Sequence, residues 1–236
     1  WLSYILTIAL IIVVCNAYNL IDGIDGQAGM QALSVFIFLA GFLMHLIYTT
    51  NVLNLDSFFA NANFWMIAFV AIIGSIVGFF VFNWQPAKIF MGDTGSLFIG
   101  TLIALSIIMS MNYSGADPIL ISGHEIKAKI LVFPMFFFLP FADTLRVFIS
   151  RIKRGKSPFL ADKTHIHHFL LRTGYSHQRT TITTFIISVI VSLISIIVAF
   201  LISDLYYILY IILMWVIYVF VLRFTVQKKI AKIKQD

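Results

Sequence analysis

Apolar residues occur along this chain in long unbroken runs, and polar residues gather in short islands between them. Runs of about 20 residues, enough to cross a ~30 Å hydrocarbon core as helices, occupy 29–49, 63–83, 95–112, 128–149, 181–202 and 205–226, and a shorter one covers 1–15. No period-two alternation of apolar and polar positions dominates, which disfavours a transmembrane β-barrel. The pattern predicts an all-α fold, a polytopic transmembrane helix bundle of about seven spans. There is no long internal repeat, low-complexity tract or Pro/Gly-rich linker, so 1–236 reads as a single membrane domain.

Composition agrees with the pattern. A chain that is 61% hydrophobic and 11% charged, with a mean hydropathy of +0.99, is not a water-soluble domain. Charge placement orients the bundle, because retained cytoplasmic loops carry the Lys and Arg excess. Alternate threading puts 16–28, 84–94, 150–180 and the C-terminal tail on one side, with all but Lys127 and Lys129 of the 16 Lys and Arg on or near it. That side is expected to be cytoplasmic. The pI of about 9.5 follows from this topology, and no nucleic-acid module is visible. Lys228, Lys229, Lys232 and Lys234 read as a juxtamembrane tail near anionic headgroups. The single cysteine, Cys15, offers no disulfide framework and reads as helix packing.

Three polar islands face the predicted cytoplasmic side. Ionisable groups are costly beside hydrocarbon, so each is a functional candidate. The first, Asn16-Ala17-Tyr18-Asn19-Leu20-Ile21-Asp22-Gly23-Ile24-Asp25-Gly26, brings two carboxylates three residues apart beside turn-forming glycines. Taken alone it serves equally as a helix-ending turn with Asp and Asn caps, and it lacks the register of a calcium loop. The second, Phe90-Met91-Gly92-Asp93-Thr94-Gly95-Ser96, opens into a predicted helix. Its Asp93 suits either an N-cap or Mg2+, a hard cation that takes one or two protein oxygens plus phosphate and water. Phe90 beside it offers a ring to a flat base.

The third island, Asp162-Lys163-Thr164-His165-Ile166-His167-His168, lies in a loop with Arg151, Lys153, Arg154, Lys156, Arg172 and Arg179. This cation density suits phosphate, and the imidazoles suit hydrogen bonding or proton shuttling. Zinc is disfavoured by the absence of nearby cysteine or a completing His-carboxylate pattern. Gly155-Lys156-Ser157 fails as a phosphate loop because Ser150 stands where the leading glycine belongs. Asp143, in the 128–149 run, is positioned to pair with Arg146 at i,i+3. His45 and His124 fall toward the other membrane face.

Carboxylates suited to a divalent ion, a basic imidazole loop and a membrane location point to phosphoryl transfer onto a lipid carrier. The three motifs, in this order and loop placement, resemble those of the polyprenyl-phosphate N-acetylhexosamine-1-phosphate transferases (glycosyltransferase family four). His165-Ile166-His167-His168 with Asp162 and Ser157-Pro158-Phe159 upstream is similar to the branch that starts O-antigen or teichoic acid synthesis, rather than the peptidoglycan branch with three consecutive histidines. The resemblance implies transfer of N-acetylglucosamine-1-phosphate from UDP-N-acetylglucosamine to undecaprenyl phosphate, releasing UMP. Another UDP-N-acetylhexosamine or UDP-MurNAc-pentapeptide is the alternative donor. It also implies Mg2+, with Mn2+ as a substitute, a bacterial plasma (inner) membrane location, membrane-lipid contact, and admits a homodimer.

By the same resemblance Asp93 is the metal ligand, and Asp22, Asp25, Asp93 and His168 are catalytic. Asn16, Asn19, Phe90, Arg154, His165 and His167 contact substrate. One departure is that family members carry an adjacent Asp-Asp pair in an earlier loop, and no adjacent acidic pair occurs here. With about three or four fewer spans than the resemblance implies, and a start at Trp1, the expectation is that an N-terminal part is missing. A transporter would instead concentrate charge near the bilayer midplane, and a membrane scaffold gives no reason for three polar islands on one face.

Overall fold

The computed structural model describes residues 1–49, 56–114, 120–121, 124–125, 131–157 and 164–233. Its elements are α1 (Leu2–Ile21), α2 (Gln27–Thr49), α3 (Asp56–Asn83), α4 (Gly92–Ser114), β1 (Leu120–Ile121), β2 (His124–Glu125), α5 (Val132–Met135), α6 (Phe138–Lys153), α7 (Ile166–Arg172), α8 (His177–Leu201) and α9 (Asp204–Ile233). The fold is a helix bundle, with β1 and β2 forming a two-residue antiparallel ladder. Among the described residues six helices are long and apolar enough to span a membrane: Leu2–Ile21, Gln27–His45, Asn63–Asn83, Gly92–Met111, His177–Leu201 and Asp204–Thr225.

The first run, read as short from the sequence, is a full 20-residue helix that carries Asn16 and Asn19 in its last turns. Hydropathy stops where polar side chains begin, but the backbone hydrogen bonding continues as long as the polar residues lie at the watery end. For the same reason α4 begins at Gly92, inside the predicted loop, and the 150–180 loop contains α7. The run 128–149 differs most. Its described part is two helices, α5 and α6, joined by i→i+3 bonds from Phe136 N–H to the Phe133 carbonyl and from Phe137 N–H to that of Pro134, each 3.1 Å. Pro140 has no N–H to offer the Phe136 carbonyl, so one continuous helix cannot form there.

In lipid, apolar surface gains little by leaving one hydrocarbon environment for another, so helices associate through close packing and internal hydrogen bonds. Half of the apolar window of α2 is buried, against 6% of that of α9. Thus α2 is central, and α9 presents Leu205, Leu209, Phe220 and Phe224 outward. An aromatic seam fills the middle: Phe36 on Phe69, Phe38 on Phe136 and Phe42 on Phe133, with centroids 6.0, 5.2 and 4.7 Å apart. On α8, Thr181, Thr184, Ser188, Ser192 and Ser195 recur at three and four residues and are buried. The Ser188 hydroxyl donates to Gln31 Oε1 on α2 at 2.8 Å.

The contact of α1 with α4 brings two backbones close together. A Cβ on Gly100 would lie 2.9 Å from Cys15 Cα and 3.3 Å from the Cys15 carbonyl oxygen. Beside it Cys15 Sγ and Thr101 Oγ1 stand 3.2 Å apart. Gly100→Ala should therefore separate the two helices and cost about 1–3 kcal/mol, whereas Gly78→Ala, where a Cβ meets nothing within 4 Å, should cost nothing. Thermal unfolding of the two variants in detergent checks this, and equal midpoints would refute the close-contact account.

Candidate active site

The α1–α4 contact places the first two islands together. Asn19, on the last turn of α1, donates one amide hydrogen to Asp93 Oδ1 at 3.0 Å and the other to Ser96 Oγ at 2.8 Å. Asp22 follows one turn later as the C-cap of α1, with its carboxylate near the Gly92 N–H at the start of α4. Asp93 is exposed in the first turn of α4, where the helix dipole favours a carboxylate. Burial, then the neighbouring Asp93 charge, pushes the Asp22 carboxyl above its usual range, and the Gly92 N–H opposes the rise. Two acidic groups are thus held close enough to repel, with an open side.

Asp25 is differently engaged. Its Oδ2 accepts the Ala87 N–H at 3.2 Å, and its carbonyl accepts from Gln85 Nε2 at 3.3 Å and Thr181 Oγ1 at 3.2 Å. Asn83 completes the clamp, accepting the Gly26 N–H at 3.0 Å and donating to the Ile89 carbonyl at 2.8 Å. The 22–26 turn is therefore fastened to the α3–α4 connection and to α8. Asn16 is exposed and donates to the Ile12 carbonyl one turn back at 2.7 Å. Phe90 is 74% exposed, its ring accessible beside the Asp93 turn.

The third island arrives through α7. Gly23 has no Cβ, and one built there would fall 2.4 Å from His167 Nε2, so the imidazole lies directly on the turn between Asp22 and Asp25. His165 and His167 are buried with rings parallel at 5.9 Å, and the His168 ring is 4.3 Å from that of His167. Burial, then the neighbouring His168 and His165, lowers the His167 pKa to about 3, against a weaker opposing pull from Asp143. Among the described residues His165 Nε2 and His167 Nδ1 have no hydrogen-bond partner.

Asp143 holds this loop. The expected pairing with Arg146 is present, Nη2 to Oδ1 at 2.6 Å and Nε at 3.1 Å, but the carboxylate does more. Its Oδ2 meets His165 Nδ1 at 2.9 Å and accepts the Ile166 N–H at 3.1 Å, and its Oδ1 accepts the Tyr218 hydroxyl at 2.8 Å. Arg146 Nη2 also donates to the Thr164 carbonyl at 2.6 Å. The sequence showed Asp143 as a lone acid in an apolar run, which was signal enough. Tyr218, Asn83 and Thr181 carried no signal, since each is ordinary in a helix. Arg154 Nε donates to the Ser150 carbonyl at 3.1 Å, and its side chain lines a cavity with Arg146, Lys153 and Arg223. Pro158, Phe159, Asp162 and Lys163 lie outside the described residues.

Asp22 and Asp93 supply hard oxygen donors on an accessible surface, and their mutual repulsion would be relieved by a cation. Among the described residues no three His, Cys, Asp or Glu side chains converge as a metal site. The donor set therefore fits Mg2+ completed by substrate phosphate and water.

Residues 1–111 match the family model described as Glycosyl transferase family 4. The chain is 32% identical over 199 residues to the decaprenyl-phosphate N-acetylglucosaminephosphotransferase of Mycobacterium leprae, covering 78% of this chain and 45% of that protein. It is 34% identical over 194 residues to the phospho-N-acetylmuramoyl-pentapeptide-transferase of Chloroherpeton thalassium, covering 78% and 48%. The undecaprenyl-phosphate alpha-N-acetylglucosaminyl 1-phosphate transferase of Yersinia pestis is 28% identical over 184 residues, covering 76% and 44%. The chain thus spans about half the length of the curated relatives it matches.

Because His167 is held neutral with a pKa below the 6.5 of a free imidazole, the opened loop binds more protons than the closed one between pH 6.5 and about 3. Closure of α7 on the 22–26 turn should be strongest above pH 6.5 and weaken progressively down to about pH 3. Hydrogen exchange of amides 165–172, corrected for intrinsic rates, should show more opening at the acid end, and His167→Gln should lose that response.

Proposed function

We propose that this chain, whose residues 1–111 match the model of glycosyl transferase family 4, transfers N-acetylglucosamine-1-phosphate from UDP-N-acetylglucosamine to undecaprenyl phosphate, releasing UMP, at the cytoplasmic face of a bacterial plasma membrane. The observation that carries the reading is the juxtaposition of Asp22 and Asp93 by Asn19 with the His167 ring against Gly23. In the reaction an oxygen of the lipid phosphate attacks the phosphorus that bears the sugar, the P–O–P bond breaks, and UMP departs.

Asp93, with Asp22 beside it, would hold Mg2+, which when bound neutralises the diphosphate charge and polarises the phosphorus under attack. Asn19 orients Asp93 through one amide hydrogen while the other is anchored on the Ser96 hydroxyl. The exposed Phe90 ring is available to the uracil face. His167 stands on the turn with His165 and His168 beside it, and these imidazoles are the groups we assign to diphosphate or sugar oxygens. Asp25 and Asn83 position the turn rather than reach the reacting atoms.

The Chloroherpeton relative, as similar as the others, favours UDP-MurNAc-pentapeptide as the runner-up donor. UMP release from each donor should be measured in membranes carrying this chain alone and carrying it behind the N-terminal half of the Mycobacterium relative, with and without undecaprenyl phosphate and Mg2+. We expect release that requires both additions. Asp93→Asn should reduce it at least about a hundredfold while leaving membrane insertion intact, and His168→Ala should weaken apparent donor affinity more than lipid-phosphate affinity. Normal turnover by Asp93→Asn sinks the metal assignment.

A further inference from the structure

Polar side chains tie α9 to its neighbours at two levels. Of the six candidate spans α9 is the least buried, and its outward face is apolar. At one level the Tyr207 hydroxyl donates to the Ser195 carbonyl at 2.9 Å, and the Tyr210 and Ser195 hydroxyls stand 3.1 Å apart. At the other, Trp215 and Tyr218, three residues apart and so on one face of the helix, reach two consecutive residues of α6. Trp215 Nε1 donates to the Ala142 carbonyl at 3.2 Å, and the Tyr218 hydroxyl donates to Asp143 Oδ1 at 2.8 Å. The second of these bonds falls on the carboxylate that holds the histidine loop.

Facing a guanidinium, a carboxylate favours the fork, with one oxygen on each of two nitrogens. Asp143 does not adopt it. Arg146 Nη2 and Nε both donate to Oδ1, at 2.6 and 3.1 Å, while Oδ2 is turned to His165 Nδ1 at 2.9 Å and to the Ile166 N–H at 3.1 Å. The Tyr218 hydroxyl on Oδ1 opposes rotation of the carboxylate toward the fork, because that rotation carries Oδ1 away from the hydroxyl and takes Oδ2 off His165. An ionised carboxylate only accepts, so His165 Nδ1 carries the proton in this bond and Nε2 keeps its lone pair. The His165 ring in turn lies parallel to that of His167, which rests on Gly23. We propose that Tyr218 is a positioning residue for the transfer reaction: its hydroxyl holds Asp143 in the rotation that fixes His165 as the Nδ1–H tautomer, and with it the imidazoles that meet the donor. The inference rests on the transfer reading above, and within it Tyr218 acts through Asp143 rather than on substrate.

The test uses the full chain in detergent with nitrogen-15 in its histidine rings, where two-bond proton–nitrogen correlation spectra distinguish the two tautomers and His165→Gln identifies the His165 signals. The unsubstituted chain should show His165 as the Nδ1–H tautomer. Tyr218→Phe removes the hydroxyl and keeps the ring, and should turn His165 into a mixture of tautomers. Trp215→Phe releases the Ala142 carbonyl but leaves every bond to Asp143, and should change nothing at His165. In membranes carrying the chain behind the N-terminal half of the Mycobacterium relative, Tyr218→Phe should raise the apparent KM for UDP-N-acetylglucosamine roughly tenfold. The KM for undecaprenyl phosphate should stay unchanged, and Trp215→Phe should keep both values. An unaltered His165 tautomer in Tyr218→Phe, or the same alteration in both variants, would overturn the inference, the second outcome meaning a general loosening of α9. An altered tautomer with an unchanged donor KM would overturn the role in transfer. Absence of UMP release from the unsubstituted chain would instead count against the transfer reading, while the spectra, which need no turnover, would still decide whether Tyr218 fixes His165.

Discussion

Two helix backbones cannot approach closely if a side chain stands between them, and the site depends on α1 meeting α4 where Gly100 faces Cys15. That contact fixes the depth and rotation of one helix on the other. Four residues beyond Cys15, in the next turn, the Asn19 amide reaches both Asp93 and Ser96, and Asp22 lies near the start of α4. Each of these bonds has a short range, so a shift of about an ångström in the helix pair would break them. In a bilayer no hydrophobic force would restore the register, because the lipid is as apolar as the helix surface.

A second constraint acts on the loop. The Asp143 carboxylate is buried, and a buried charge is tolerated only when its lone pairs are satisfied. Here Arg146, His165, the Ile166 amide and Tyr218 satisfy them from α6, α7 and α9. The same bonds set where α7 starts and hence where the His167 ring falls, on Gly23. Activity-bearing and structural polar groups are therefore not separate populations. Asp143 orients the imidazoles, Asp25 and Asn83 orient the acidic turn, and Arg146 both binds the loop and lines the cavity it shares with Lys153, Arg154 and Arg223.

Much of this was legible from the residues in order. Hydropathy marked the helices, with errors only where a helix ran on into polar residues at its end, as α1 does through Asn19, or where prolines interrupted an apolar run, as between α5 and α6. The three islands were visible because Asp and His are rare and costly in such surroundings. The distinction between Asp22 and Asp25 was not visible. Both are Asp-Gly steps in one turn, yet one carboxylate faces Asp93 and the other is committed to the Ala87 amide. Arg154, the C-cap of α6, lines a cavity with Arg146, Lys153 and Arg223, an association that the order of residues does not show.

The sequence by itself determined the membrane class, the approximate spans, the sidedness of charge and the residue types available for chemistry. These follow from transfer energies that each residue carries wherever it sits. Only the tertiary structure decided that Asn19 meets Asp93, that His167 lies on Gly23, that Asp143 serves three elements, and that four cations surround one cavity. Such meetings depend on the azimuth and depth at which helices cross, which arise from packing between residues as much as 157 positions apart, as with Gln31 and Ser188, and no local property of either residue records them.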